Sequence, residues 1–221
     1  RDYEQPWALY KKYLPRFVSK YALTFYIPYS LPLLNFNMDY DDNFCKNLYK
    51  MFIDSDINLK RYQSYNKISA NNCIVTGYTK LDKYLLSNIP DSNKYWKNPK
   101  KTKIIYAPHH SFKENSLKLA TFKENGQYIL DLAKSHPETT WVFKPHPRFK
   151  FELLENSILT EKEIDDYYNE WASVGNIYTQ GDYIDLFRTS DLMITDCASF
   201  LAEYLPSGHP IIRPVNIDSI S

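Results

Sequence analysis

A parallel, doubly wound α/β fold is what this sequence predicts, and three observations carry it. Beyond residue 102, short apolar strands alternate with helical stretches at close spacing. The strands are continuous apolar runs, such as Lys103-Ile-Ile-Tyr-Ala107 and Leu192-Met-Ile-Thr195, as expected of strands covered on both faces. The polar clusters that could carry chemistry all follow strand ends, where open parallel sheets bind ligands.

The chain opens on an aromatic and basic stretch that includes Trp7, Tyr10, Lys11, Lys12, Tyr13, Arg16, Phe17, Lys20, Tyr21, Phe25 and Tyr26. Pro6, Pro15, Pro28 and Pro32 interrupt it, so packing on a larger domain is favoured over a long amphipathic surface helix. Phe44, Leu48, Met51 and Phe52 have helical spacing. Asn72 to Tyr78 reads as a strand entering a turn at Gly77, and Leu81, Leu85 and Leu86 as a short helix. Residues 89–103 contain Pro90, Pro99 and many polar residues. A boundary is expected there, between a partial N-terminal domain (1–95) and a donor domain (96–221) that is itself expected to be truncated.

Beyond the boundary each element has its signal. Lys103–Ala107 is a strand ending at Pro108-His109-His110-Ser111, and Phe122–Ser135 is an amphipathic helix stopped before Pro137. Thr140–Phe143 is a strand ending at Lys144-Pro-His146-Pro-Arg148. Thr160 and Glu163 form a capping box for a helix with Ile164, Tyr167, Tyr168 and Trp171 on one face, closed by Gly175. Asn176–Tyr178 is a short strand, and Asp182 is expected to cap the helix of Ile184, Leu186 and Phe187. Leu192–Thr195 is a strand, with Ser199 expected as N-cap of the helix from Phe200 to Leu205. Ser207-Gly208 is a stop, and Pro210–Arg213 a last strand.

Composition excludes several functions. Of 221 residues, 43% are hydrophobic and 24% charged, so the chain is globular rather than disordered. A net charge of +1 gives no electrostatic footprint for nucleic acid. Cys45, Cys73 and Cys197 are odd in number and far apart, which argues against a disulfide framework and for a reducing compartment. No run approaches the roughly 20 apolar residues of a membrane span.

Three clusters then converge at strand ends: His109/His110/Ser111, Lys144/His146/Arg148 and Asp196/Ser199. Cations beside a helix N-terminus suit a phosphate or diphosphate. Neither a Gly-x-Gly-x-x-Gly fingerprint nor a Gly-Lys-Ser/Thr loop is present. Zinc on His109, His110 and His146 is disfavoured, because adjacent histidines are poor chelate spacing and no cysteine pattern supports it. Ser111 and Ser199 lack the Gly-x-Ser-x-Gly elbow of a hydrolase nucleophile. No metal and no cofactor is expected.

The motifs Tyr106-Ala-Pro-His-His-Ser111, Lys144-Pro-His-Pro-Arg148 and Thr195-Asp-Cys-Ala-Ser-Phe200 occur in that order, followed by Glu203-Tyr204 and Pro210-Ile-Ile. Together with Val75-Thr-Gly-Tyr-Thr-Lys-Leu-Asp82, they resemble the CDP-glycerol glycerophosphotransferase family of teichoic-acid and capsule polymerases, over roughly residues 72–215. The family often has Ala-Pro-Thr-x-Arg where this chain has Ala-Pro-His-His-Ser.

The resemblance implies a GT-B-like architecture and transfer of a polyol phosphate from a CDP-activated donor to a lipid-linked or polymeric acceptor. It implies no nucleic acid, and a cytoplasmic location with peripheral contact to the inner face of the cell membrane. It places His146 and Arg148 on the diphosphate, with Lys144, Asp196, Ser199 and Ser111 in the phosphate site. His109 or His110 would be an acid or orienting group. The family's N-terminal His-Gly base has no counterpart here, since no histidine precedes His109. Two other readings remain open: a GT-B glycosyltransferase or epimerase using a nucleotide sugar, and a non-catalytic domain that binds phosphorylated polymer.

Overall fold

The protein is described here from a computed structural model, over residues 13–31, 42–65, 70–112 and 119–215. It divides into two compact units, Arg1–Asp82 and Lys83–Ser221. Trp7, Tyr10, Lys11 and Lys12 lie outside the described residues.

The first unit holds α1 (Pro15–Val18), β1 (Phe25–Tyr26), α2 (Asp42–Lys46), β2 (Lys50–Ile53), α3 (Asp56–Tyr65) and β3 (Cys73–Val75). Its three strands form one parallel sheet in the order β1-β2-β3. The helical spacing from Phe44 to Ile53 does not correspond to one helix, because that stretch is a short helix followed by a strand. The Asn72 side chain donates to the carbonyls of Cys45 and Leu48, at 2.9 and 3.0 Å, and so ends the helix. From Lys50 the period becomes two, with Met51 and Ile53 buried and Lys50 and Phe52 half-buried. Gly77 takes φ +82°, as its turn requires.

The second unit holds β4 (Thr102–Ala107), α4 (Phe122–Ser135), β5 (Thr139–Phe143), α5 (Phe149–Glu155), α6 (Glu161–Val174) and β6 (Gly175–Ile177). It continues with α7 (Ile184–Thr189), β7 (Leu192–Thr195), α8 (Ala198–Tyr204) and β8 (Ile211–Ile212). All five strands are parallel, in the order β6-β5-β4-β7-β8. The chain therefore starts mid-sheet, winds outward one way and then reverses, which opens a crevice beyond the carboxyl ends of β4 and β7.

Alternation along the strands divides the core in two. Ile104, Tyr106, Trp141, Phe143 and Ile194 face α4, α5 and α6, where Phe122, Phe149, Tyr167 and Trp171 complete an aromatic layer. Ile105, Ala107, Val142 and Met193 face α7 and α8, and pack with Tyr183, Phe187 and Tyr204. Each fully buried aromatic or aliphatic side chain contributes about 1.5–3 kcal/mol to this sheet-and-helix sandwich. Gly175 allows the closest approach, since a Cβ there would lie 2.4 Å from the Trp141 carbonyl oxygen.

The Thr160/Glu163 capping box forms in both directions. Asp182 does not cap α7. Tyr183 takes that position, and Asp182 pairs with Lys83 Nζ at 2.5 Å. Residues 83–96, expected from the sequence to be the end of the first domain and a linker, fall within the second unit. Tyr84 donates to the Glu203 carbonyl, Arg188 donates to the carbonyls of Leu86 and Asn88, and Tyr95 and Trp96 are buried against Ile105 and Phe187.

Candidate functional site

The strand ends are flush, so the clusters after them meet. Tyr106 pairs with Phe143 and Ala107 with Thr195, while the Lys144 N–H donates to the Tyr106 carbonyl at 2.8 Å. His109, Lys144 and Asp196 thus leave the sheet side by side at the point where strand order reverses.

Asp196 is 3% exposed, and its carboxylate is occupied by protein donors. Oδ1 accepts the main-chain N–H of His109 at 2.5 Å. Oδ2 accepts the Thr121 N–H at 2.7 Å and the Thr121 hydroxyl at 3.0 Å. Burial pushes its carboxyl above the usual range, and those hydrogen bonds pull the other way. Asp196 therefore ties both ends of the β4–α4 connection to the tip of β7.

Ser199 is not the N-cap that the sequence suggested. Thr195 Oγ1 donates to the Ala107 carbonyl at 2.7 Å and accepts the Cys197 N–H at 3.1 Å, which turns the chain two residues early. Cys197 is the N-cap, and Ser199 lies in the first turn of α8 with its hydroxyl 3.3 Å from the Cys197 sulfur.

The histidines form a stack. His110 and His146 lie face to face, with ring centroids 3.7 Å apart and planes 10° apart, and His109 adds a third ring at 4.6 Å. Main-chain N–H groups can only donate, which sets two of the tautomers. Ser111 N–H donates to His109 Nδ1, and Arg148 N–H to His146 Nδ1, both at 3.1 Å. Both rings therefore carry their proton on Nε2. Ser111 also has its hydroxyl 2.8 Å from His109 Nδ1 and accepts the Leu119 N–H at 3.1 Å. His110 Nδ1 is buried and has no hydrogen-bond partner.

Burial lowers the pKa of all three histidines to about 4, and mutual repulsion adds to it. Lys144 and Arg148 further depress His146, while Glu152 acts in the opposite sense.

The two cations differ in setting. Lys144 is 4% exposed, with its ammonium 4.5 Å from the Tyr183 ring centroid, 5.4 Å from Phe200 and 5.7 Å from Tyr178. Arg148 is solvent-facing, yet its Nε and Nη2 both donate to Oε1 of buried Glu152, at 3.1 and 2.6 Å. Among the described residues, no cluster of three or more His, Cys, Asp or Glu could hold a metal ion.

The arrangement offers Nε2–H donors and cationic potential around a crevice at the strand-order reversal. Such a surface can bind an anion and stabilise charge that develops on it. The sequence had singled out His109, His110, Lys144, His146, Arg148 and Asp196, but not Thr121 or Glu152. It did not show that Asp196 is saturated by main-chain donors, or that Glu152 and the three rings around Lys144 hold the cations. Glu152 lies four residues beyond Arg148, whereas Tyr178 and Tyr183 reach Lys144 from the segments after β6 and before α7, and Phe200 from α8.

Residues 39–215 match the family described as CDP-Glycerol:Poly(glycerophosphate) glycerophosphotransferase. No curated protein matches the chain. Among solved structures, it resembles the UDP-GlcNAc 2-epimerase of Methanocaldococcus jannaschii in complex with UDP-GlcNAc and UDP. That likeness has 16% identity and a TM-score of 0.53, over 89% of this chain and 55% of that one. It also resembles UDP-bound MnaA of S. aureus, with 13% identity and a TM-score of 0.52, over 88% of this chain and 51% of that one. At such identities the likeness shows the fold alone, a GT-B-like α/β architecture. The wall teichoic acid polymerase TagF, soaked with CDPG, aligns at 13% identity and a TM-score of 0.49, over 83% of this chain and 44% of that one, which carries no argument. The chain spans about half the length of the solved structures it matches.

Proposed function

The chain belongs to the CDP-glycerol:poly(glycerophosphate) glycerophosphotransferase family, and from that premise we propose that it binds the donor in a transferase moving a polyol phosphate from a CDP-activated donor to teichoic acid or capsule polymer. The observation that carries this reading is the convergence of His109, His146 and Arg148 on the crevice where strand order reverses. An acceptor hydroxyl oxygen attacks the phosphorus that bears the polyol. A P–O bond forms there, the bridging P–O bond to the nucleotide breaks, and CMP leaves with the bridging oxygen. The acceptor's proton passes to a base.

Catalysis of such a step is mostly positioning and charge stabilisation. His109 and His146 hold Nε2–H groups and so serve as donors to phosphate oxygens. Arg148, aligned by Glu152, and Lys144 supply positive potential to the leaving phosphate. Ser111 and Asp196 hold the His109 segment in place, and Ser199 lines the same end of the sheet.

Peripheral membrane contact is part of this reading. Tyr21, Leu23, Phe25, Ile27 and Tyr29 are exposed, with Arg16 and Lys20 close in sequence. No helix among the described residues is long and apolar enough to cross a membrane.

Melting shifts test the donor. CDP-glycerol and CDP-ribitol are expected to raise the midpoint and UDP-GlcNAc to leave it unchanged. A response to UDP-GlcNAc alone would overturn the reading in favour of a nucleotide-sugar enzyme. In a turnover assay with CDP-glycerol, His146→Ala is expected to abolish most activity with folding preserved, and full activity would make this a non-catalytic binding domain.

A further inference from the structure

The imidazole stack has a property that donor binding alone does not require. Its rings lie so close that two imidazolium ions would repel strongly, which leaves room for no more than one proton beyond those of the neutral rings. The outer rings have their Nδ1 atoms committed to main-chain donors and present Nε2–H groups. The middle ring, His110, has an unpartnered buried Nδ1, so one proton site in the stack has no partner.

Among the described residues, four charged groups surround the stack. Lys144 comes from the end of β5 and Arg148 from the start of α5. Glu152 lies one turn along α5 and is engaged by Arg148. Asp196 comes from the end of β7, with its carboxylate taken up by the His109 and Thr121 donors. Glu152 favours an imidazolium on His110 or His146, but Arg148 engages its Oε1 and main-chain donors occupy Asp196, and burial with two cations outweighs it in the empty site.

Resting on the donor-site reading above, we propose that a nucleoside diphosphate enters this crevice together with a proton, which the His109–His110–His146 stack takes up. The empty stack is neutral, and the occupied stack carries one imidazolium. An arriving anion reverses the local balance, because it favours the charged form of any ring whose N–H it accepts. Burial keeps the rings neutral until then. The site thereby gains a charge-assisted hydrogen bond without holding an uncompensated buried charge when empty.

Calorimetric titration of the chain with CDP tests this, at several pH values and in buffers of different ionisation enthalpy. Above about pH 7, where the nucleotide phosphate is ionised, about one proton is expected to enter per CDP bound, and the dissociation constant to rise about tenfold per pH unit until the bound imidazolium titrates. CDP binding with no proton uptake and a flat pH profile overturns this inference while leaving the donor reading intact. No CDP binding at all overturns both. His110→Phe keeps a stacked ring but removes the titrating one, and should cut proton uptake by more than half. Ring nitrogen resonances of the unmodified protein give an independent check. CDP is expected to move a stack histidine to the imidazolium position while His136 and His209, outside the stack, stay in place. Unchanged ring resonances in a CDP-bound sample refute the proposal even if His110→Phe fails to fold.

Discussion

Asp196 Oδ1 accepts the main-chain N–H of His109 at 2.5 Å, across the gap where the sheet reverses its strand order. The other oxygen holds Thr121 through both its N–H and its hydroxyl. A single buried carboxylate therefore fixes both ends of the connection that presents His109 and His110. Asp196→Ala leaves three donors without an acceptor and is expected to lower stability by about 3 kcal/mol. Asp196→Asn keeps one acceptor oxygen but turns an amide N–H₂ toward a donor, so it should recover only part of that loss. Urea denaturation of the three proteins checks the order, and equal midpoints would refute the clamp.

Much of this arrangement was legible because a parallel strand announces itself locally. Lys103–Ala107, Thr140–Phe143 and Leu192–Thr195 are apolar on both faces, and the residues after them face the crevice by topology alone. Helix α4 followed from its apolar stripe, and α6 from its capping box. What stayed hidden depends on partners distant in sequence. Ser199 looks like an N-cap until Thr195 bonds the Ala107 carbonyl and turns the chain sooner. Lys144 reads in sequence as a phosphate ligand, and nothing near it in the chain shows that Tyr178, Tyr183 and Phe200 enclose it. The Phe44–Ile53 stretch satisfies helical spacing and strand alternation alike, and Asn72, more than twenty residues on, decides between them.

The stacked histidines make stability depend on pH with a definite sign. Their folded-state pKa of about 4 lies below the unfolded value near 6.5. Between those values the unfolded chain binds protons that the native stack refuses, so stability is fully present above about pH 6.5 and is lost as pH falls toward 4. The urea midpoint is expected to drop between about pH 7 and pH 5. His110→Phe should lose less over the same interval, because one refusing ring is gone. Identical acid losses in the two proteins would contradict a neutral stack.

Gly175 marks where β6 comes closest to β5. A Cβ there would sit 2.4 Å from the Trp141 carbonyl oxygen and 2.9 Å from its carbon, both main-chain atoms that cannot swing aside. Gly175→Ala must spread the two strands and is expected to cost about 2–3 kcal/mol, seen as a lower melting midpoint. Gly181 has open space around its Cβ position and ordinary φ, so Gly181→Ala is the matched control and should melt within a degree or two of the unmodified protein. A melting curve for Gly175→Ala that matches the control would show that the strands can separate at no cost.

Lys144 separates the two ways in which a buried cation can matter. Its ammonium is buried and lies over three rings, and replacing it by Met, of similar length and apolar, keeps the packing of the stem while removing the charge. The same change removes a positive charge beside His146, whose pKa is depressed first by burial, then by His110, and then by Lys144. In Lys144→Met the His146 ring should therefore titrate at higher pH than in the unmodified protein, a shift read directly from ring resonances. CDP affinity should fall because the crevice loses cationic potential, and Lys144→Arg should restore part of it. A Lys144→Met protein that folds, binds CDP undiminished and leaves His146 unshifted would confine this lysine to a packing role.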